Sequence, residues 1–283
     1  MTARPTNDSS VTDRHLLSTQ AYGTGQHLAA RQSLYQWQAP QHDLPGIIVN
    51  ELADVRGPVA DVGCGNGKFV QRLRTERPDL TVVPMDISPG ILTGIPGAIV
   101  ADAQQLPLAN GALSAALGMH MLYHVEDQQR AVRELGRVLA PDGLAFISTN
   151  SRTDKGELEN LWRRAAGDVL GIPEGPARVQ LSSRFTLEEA PGVLGEVFAE
   201  IRTIQLPGVI DVSDAAPVVA HLASYEAWAG KMGVPFAETV ERARERVEET
   251  IRAKGAFRIT CLGGILVCRN TGLTTTPSSS GFA

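Results

Sequence analysis

The sequence is poor in cysteine and lacks both a long apolar run and a strongly basic balance. Its 283 residues contain only Cys64, Cys261 and Cys268, with no Cys-x-x-Cys pair, so neither a disulfide framework nor a zinc knuckle is predicted. No apolar run approaches the ~20 residues that span a membrane, and the N-terminus has no apolar signal stretch. We therefore expect a cytoplasmic protein without a membrane partner and without a metal site.

The charge is mixed, with a formal net charge of −5. A protein that grips a nucleic-acid backbone usually presents a basic face. Here the arginines form only small clusters, at residues 72–74 and 163–164, which are typical of solvated helix faces. We expect a small-molecule partner rather than nucleic acid, and homo-oligomerisation is left open.

Residues 59–69 organise the chain, with the sequence VADVGCGNGKF. A β-favouring run leads into three glycines at alternate positions, and a helix is predicted to follow. Glycine adopts φ > 0 readily and lets a ligand lie against the backbone. A strand–loop–helix unit also turns unpaired N–H groups and a positive helix end towards one crevice.

Three nucleotide-binding motifs can be compared with the sequence of this loop. A P-loop is excluded because Phe69 follows Gly67-Lys68 where Ser or Thr is required, and a dinucleotide fingerprint is excluded because position 68 is not glycine. The pattern Asp-x-Gly-x-Gly-x-Gly fits at every position, through Asp61, Gly63, Gly65 and Gly67. It resembles the first motif of class I S-adenosylmethionine-dependent methyltransferases.

A second acid supports this resemblance. The predicted second strand, residues 80–85, ends at Asp86, where an acid reaches ribose hydroxyls in α/β nucleotide sites. The resemblance further implies that Asp102, after the third strand, accepts from the adenine amino group and that the Ala103 N–H faces the ring. The remaining predicted contacts to S-adenosylmethionine are Cys64, Ile87 and Met119.

The alternation of strands and helices predicts an α/β fold, a Rossmann-like, doubly wound sheet of seven strands. The family's strand order is three-two-one-four-five-seven-six. Predicted strands cover residues 58–62, 80–85, 98–103, 113–119, 144–149 and 199–206, with two final runs in 257–269. We predict a disordered N-terminus at 1–12, a helical cap at 13–44, a methyltransferase domain at 45–269 with insertions at 151–184 and 207–255, and a disordered tail at 270–283.

Ligands of such sheets bind where the strand order reverses, which places residues 118–124 beside the reactive methyl group. His120 is the candidate general base, since an unperturbed imidazole pKa of ~6.5 suits proton removal near neutrality. Tyr22 and His27 are further catalytic candidates because Gly23 and Gly25 lie between them. Candidate acceptor-site residues, each of which could instead pack in the core, are Tyr35, Trp37, His124, Trp162, His221, Tyr225 and Trp228.

The predicted function is transfer of a methyl group from S-adenosylmethionine, by in-line displacement, to an oxygen, nitrogen or electron-rich carbon atom. The expected acceptor is a small molecule of an aromatic or indole-type natural-product class. The alternatives are an RNA or protein methyltransferase, a dinucleotide-dependent oxidoreductase, and a non-catalytic module that binds the donor.

Overall fold

The structure, a computed structural model, describes residues 9–271. The predicted disorder of residues 1–8 and 272–283 lies outside this range. Ser9–Thr12, which were expected to be disordered, form a 3-10 turn with Ser10 and Val11 buried. Asn270, predicted as the first residue of the tail, is anchored. Its side-chain amide donates to backbone carbonyls within residues 136–140, including that of Leu139 at 2.9 Å.

One eight-stranded sheet forms the centre of the molecule. Its strands are β1 (Gln38–Ala39), β2 (Pro58–Val62), β3 (Thr81–Asp86), β4 (Ile99–Val100), β5 (Leu113–Met119), β6 (Leu139–Asn150), β7 (Glu200–Val212) and β8 (Phe257–Arg269). Their order is β1-β7-β8-β6-β5-β2-β3-β4. Strands β2 to β6 pair in parallel, whereas β8 is antiparallel to both β6 and β7.

The Rossmann-like fold is confirmed, and the seven predicted strands stand in the expected order. The sheet gains an eighth strand because β1, only two residues long, pairs with β7. Several predicted boundaries were wrong: β4 covers only Ile99–Val100 of the predicted 98–103, and β6 begins at Leu139 rather than at 144. β7 continues through Pro207 to Val212, so the second insertion begins after 212 rather than at 207, and β8 is one strand that passes straight through Gly263-Gly264.

The helices are α1 (Arg14–Leu16, continued by a π-helical turn at Leu17–Ala21), α2 (Gln26–Ser33), α3 (Leu44–Glu51), α4 (Lys68–Glu76), α5 (Gln128–Val138), α6 (Gly156–Leu170), α7 (Ala190–Leu194), α8 (Ala216–Ala223) and α9 (Phe236–Lys254). Three of them, α1, α3 and α5, begin at aspartate caps, and the Asp13 side chain that caps α1 accepts from Leu16 N at 3.0 Å. The side chain of Asp43 accepts from Gly46 N at 3.2 Å and that of Asp127 from Arg130 N at 2.9 Å, which satisfies N–H groups that have no partner within the helix.

No helix within residues 9–271 combines the length and the apolar character needed to cross a membrane.

Hydrophobic clusters cover both faces of the sheet. On one face, α3 and α4 bury residues such as Ile48, Leu52 and Leu73 against the strands. On the other, α5 buries Val132 and Leu135. Strands covered on both faces read as near-continuous apolar runs, which is why the central strands were found from the sequence.

The cap and the two insertions form a second layer of helices. Helix α2 packs against α8, and both α6 and α8 pack against α9. Trp162 of α6 and Trp228, which follows α8, are almost fully buried within this layer. The N-terminal segment joins it because Trp228 Nε1 donates to the Ser10 carbonyl at 3.2 Å.

Candidate active site

A cavity of about 1110 Å³ opens where the cap and the insertions meet the carboxyl ends of the central strands. Its walls come from the loops after β2, β3 and β5, from α2, and from the segment between α6 and α7. Strands β2 and β5 are neighbours, while the chain continues from them towards opposite edges of the sheet. The cavity therefore lies at the point where ligands of doubly wound sheets bind.

The glycine loop after β2 lies against two other segments. Gly63 and Gly65 have φ of 73° and 55°, a left-handed conformation that favours glycine. A Cβ on Gly63 would lie 2.8 Å from Cβ of Met121, and one on Gly65 would lie 2.9 Å from Cδ2 of Leu28. Larger residues would thus strain the backbone and displace both the loop after β5 and the cap helix α2.

Asp61 is the most unusual acid of the cavity. Its side chain is fully buried, and neither carboxylate oxygen has a hydrogen-bond partner within the described chain. Burial raises its pKa to about 7, and the neighbouring Asp86 adds to the shift. A buried carboxylate without a partner is costly unless it pairs with a donor or a cation, so Asp61 is suited to hold a positively charged ligand group.

Asp86 stands at the end of β3 and faces the glycine loop. Its Oδ2 accepts from Gly65 N at 2.9 Å and its Oδ1 from Ser88 N at 2.9 Å. Burial raises the pKa of Asp86 although these N–H groups favour the ionised form. An ionised carboxylate has about four lone-pair sites, so Asp86 retains capacity to accept from hydroxyl groups.

The third acid, Asp102, forms an ion pair with Arg14 of the cap. Its Oδ1 also accepts from Gln104 N at 2.9 Å. The remaining predicted donor contacts also line the cavity, apart from Gly67, which instead precedes α4 in a left-handed conformation. Those lining residues are Cys64, Ile87, Ala103 and Met119.

Two histidines, His120 and His124, follow β5 and line the cavity. His120 has φ of 55°, and burial lowers its pKa to about 4, with Lys155 adding to the shift. Nε2 of His124 lies 2.7 Å from the Tyr22 hydroxyl, and its Nδ1 lies 2.9 Å from the Val11 carbonyl. Burial lowers the pKa of His124 to about 3, so both imidazoles are neutral at pH 7.

Comparison with known proteins identifies the fold. Residues 60–147 match the sequence model of a family described as a methyltransferase domain. The match begins inside β2, spans the glycine loop, Asp86 and the histidine loop, and ends in β6. Residues 60–147 of the chain therefore carry a methyltransferase domain. The resemblance inferred from Asp61, the three glycines and Asp86 is thereby confirmed.

Relatives of this chain include an uncharacterized methyltransferase of Mycobacterium tuberculosis, which is 32% identical over 137 residues, or 46% of this chain and 52% of the relative. The chain thus spans about half the length of these curated relatives. A crystal structure from Anabaena variabilis, described as a methyltransferase of an antibiotic biosynthesis pathway, is 16% identical, with a TM-score of 0.55 over 78% of this chain and 95% of that one.

A second solved structure is a phosphoethanolamine N-methyltransferase of Haemonchus contortus, in complex with phosphomonomethylethanolamine and S-adenosylhomocysteine. It is 13% identical, with a TM-score of 0.52 over 90% of this chain and 59% of that one. At such identities both structures support the fold alone.

The cavity contains some of the predicted catalytic and acceptor-site residues but not all. Tyr22, His120, His124, Tyr35, His221 and Tyr225 line it, whereas His27, Trp37, Trp162 and Trp228 do not. Trp37 is 44% exposed, while Trp162 and Trp228 pack in the helical layer. For Trp162 and Trp228 the alternative of core packing is therefore the one observed.

Several charged residues of the cavity had no sequence signal. Arg31, Asp154, Lys155 and Arg178 line it. The side chains of Lys155 and Asp154 are 6% and 7% exposed and form an ion pair, and Lys155 Nζ donates to the Tyr35 hydroxyl at 2.6 Å. These residues come from α2, the start of α6 and an irregular segment, so no local pattern marks them as neighbours.

Proposed function

We propose that this protein transfers the methyl group of S-adenosylmethionine to a small-molecule acceptor by in-line displacement. One observation carries the proposal. Asp61, a buried carboxylate without a partner, lies beside the glycine loop and Asp86 within one cavity. That arrangement suits a ligand that bears a cation and ribose hydroxyls and lies against a backbone without side chains.

The residues present fit this donor from end to end. Asp61 would hold the ammonium of the methionine moiety and Asp86 the ribose hydroxyls, while Asp102 and the Ala103 N–H would meet the adenine. The methionine end also carries a carboxylate. Arg31 suits it, because it lies one turn after Leu28, which covers Gly65, and its Nη2 is buried without a hydrogen-bond partner in the described chain. When bound, the donor supplies an electrophilic methyl group.

The enclosure of the cavity supports a small acceptor. Ligand sites commonly measure about 300–1,000 Å³, so a volume of about 1110 Å³ accommodates a donor together with a small acceptor. The cap and the two insertions wall the cavity, and Tyr22, Tyr35, Tyr123 and Tyr225 line it. Such rings pack well on planar groups, which supports the aromatic or indole-type acceptor predicted from the sequence.

The chain's contribution to catalysis is chiefly positioning. Holding two reactants in line can lower a barrier by roughly 7–11 kcal/mol. A pKa of about 4 makes His120 a weak base, poorly matched to a phenol of pKa ~10. We assign His120 the role of orienting the acceptor through a hydrogen bond. The site then favours acceptors that carry a free lone pair, such as a neutral amine or a carboxylate.

A labelled-methyl assay over matched sets of amines, carboxylic acids, phenols, indoles and RNA tests the proposal, with NMR of any product. Incorporation into a small molecule that depends on Asp86 supports it. Incorporation only into RNA would favour an RNA methyltransferase. Tight donor binding with no transfer to any acceptor would favour a donor-binding module.

A further inference from the structure

A group of buried polar side chains lines the cavity apart from the three acids assigned to the donor. It consists of Lys155, Arg178, His221 and Tyr225 and is called here the acceptor cluster. All four line the cavity, and Lys155, His221 and Tyr225 are 5%, 4% and 8% exposed. The role considered for this cluster rests on the methyl transfer proposed above.

Arg178 is the central residue of the acceptor cluster. Its side chain is 8% exposed, and neither Nε nor Nη1 has a hydrogen-bond partner within the described chain. Glu159 lies nearby, with its Oε2 3.5 Å from Arg178 Nε, but this contact does not satisfy either group as a hydrogen bond. A buried guanidinium with unused N–H groups is costly in an empty cavity, and a planar oxyanion matches its geometry.

The ring of Tyr225 joins this guanidinium to a second one. Arg178 Cζ lies 4.9 Å and Arg31 Cζ 5.8 Å from the ring centroid. Burial acts to raise the pKa of the Tyr225 phenol, but the charges of Arg178 and Arg31 outweigh it and the pKa falls below its ordinary value. The three cations Arg178, Arg31 and Lys155 outnumber the two acids beside them, Glu159 and Asp154, so the formal charge at this end of the cavity is positive.

His221 and Lys155, the other two members of the acceptor cluster, are consistent with a positive charge at this end of the cavity. Burial, followed by the charges of Arg178 and Lys155, holds the pKa of His221 well below its ordinary value, so its imidazole is neutral. Lys155 is held in place by Asp154 and by Tyr35. With Arg31 assigned to the donor carboxylate, Arg178 is the cation of the cluster whose Nε and Nη1 are buried without a hydrogen-bond partner within the described chain.

We propose that the acceptor carries an oxyanion, a carboxylate or a phosphate group, that binds Arg178 within the acceptor cluster. The anion anchors the acceptor while its nucleophilic atom meets the methyl group. The chain as a whole is acidic, so a local positive potential also selects anionic ligands from solution.

The test is calorimetric binding to the full chain saturated with S-adenosylhomocysteine. The probes are 4-hydroxybenzoate, indole-3-acetate and phenyl phosphate, each against a neutral partner: the two amides and phenol. We expect at least one anion to bind about tenfold more tightly than its neutral partner, as hydrogen bonds to charged groups predict. Carboxylate or phosphate preference identifies which oxyanion the site takes. Equal or no binding in all three pairs would overturn the proposal.

Variants assign the preference to Arg178. In Arg178→Gln the preference for the anion should disappear, while the affinity for S-adenosylhomocysteine changes by less than about twofold, as expected for independent sites. The double variant Arg178→Gln/Glu159→Gln removes both buried charges and guards against misfolding. Arg164→Gln, an exposed residue of the same insertion, is the matched control. Retained anion preference in the folded double variant would refute the role of Arg178.

These outcomes are distinct from failure of the proposed function. If S-adenosylhomocysteine does not bind the wild-type chain, the donor assignment is wrong. If it binds and the anion preference is absent, only the acceptor assignment is wrong.

Discussion

The hydroxyl of Tyr22 donates a hydrogen bond to Nε2 of His124. The two atoms are 2.7 Å apart, and His124 Nδ1 lies 2.9 Å from the Val11 carbonyl oxygen. Because a carbonyl only accepts, Nδ1 carries the imidazole hydrogen and Nε2 must be the acceptor. His124 therefore ties two points of the N-terminal segment to the loop after β5, and the cap is held over the cavity by a neutral imidazole.

Acid should weaken this attachment. Burial lowers the pKa of His124 to about 3 in the folded chain, against ~6.5 when unfolded. The stability that His124 contributes is thus present above pH 6.5 and is lost as the pH falls towards 3. Across this window the unfolded chain binds up to one more proton at His124 than the folded chain does. We therefore expect His124→Gln to lower the slope of the unfolding free energy against pH by up to about 1.4 kcal/mol per pH unit.

Urea denaturation at several pH values measures that slope. His15→Gln, at an exposed position of the same segment, should leave it unchanged. An unaltered slope in the His124 variant would show that its imidazole is not buried in the neutral form.

Asp86 is expected to account for much of the donor affinity. Asp86→Ala removes the carboxylate that accepts from the Gly65 N–H and that we propose accepts from the ribose hydroxyls. We predict that the dissociation constant for S-adenosylhomocysteine rises about tenfold or more, since hydrogen bonds to charged groups contribute roughly 1.5–3 kcal/mol. Asp211→Ala, which breaks a surface ion pair with Arg258, is the control. Unchanged calorimetric affinity in the Asp86 variant would refute the ribose assignment.

The raised pKa of Asp61 predicts a pH dependence of donor binding. Below its folded pKa of about 7 the Asp61 carboxyl is mostly protonated. It must lose this proton to pair with a cationic group of the ligand. Affinity for S-adenosylhomocysteine should therefore rise between pH 6 and 8, with proton release on binding. Calorimetry in two buffers of different ionisation enthalpy measures that release. Asp61→Asn should bind more weakly and without the pH dependence, and a wild-type affinity independent of pH would contradict the role of Asp61.

The same shift affects the stability of the ligand-free protein. The folded pKa of Asp61 is raised from an ordinary value of 3.8, so its contribution favours the folded state at low pH and is lost as the pH rises towards 7. Ligand-free Asp61→Asn should therefore be more stable than the wild type at pH 8, as measured by urea denaturation. A less stable variant at that pH would show that the carboxylate is well satisfied in the fold.

His120 should affect turnover more than donor binding. His120→Asn suits the backbone because asparagine tolerates the observed φ of 55°. We expect turnover to fall about tenfold while S-adenosylhomocysteine affinity changes by less than about threefold. Because the pKa of His120 is about 4, its titration should not appear near pH 6.5 in the wild-type pH–rate profile. The profiles of wild type and variant should therefore have the same shape near that pH. Wild-type turnover in His120→Asn would remove this residue from the mechanism.

The features predicted correctly from the sequence are local in the chain. The apolar runs of β2, β3 and β5, the glycine spacing and the acid after β3 each lie within a short window, and burial on both sheet faces makes such runs visible. β1 was missed because two residues show no periodicity. The end of β7 was misplaced because Pro207-Gly208 suggests a turn, whereas the antiparallel pairing with β8 continues past it.

The acceptor side of the site depends on contacts distant in sequence. Arg31 and Arg178 approach the same ring of Tyr225, although 147 positions separate them in the chain. The sequence instead indicated aromatic residues as the acceptor site, but Trp162 and Trp228 are buried in the helical layer. Charged side chains buried at a cavity carry no periodic signal, so only the folded arrangement revealed them.

The most direct test of the central claim is calorimetric titration of the purified full chain with S-adenosylhomocysteine and, in parallel, with NADH. The structure predicts one S-adenosylhomocysteine bound per chain and no heat of binding for NADH, with the former weakened in Asp86→Ala. Binding of NADH without binding of S-adenosylhomocysteine would contradict the donor site built from Asp61, the glycine loop and Asp86.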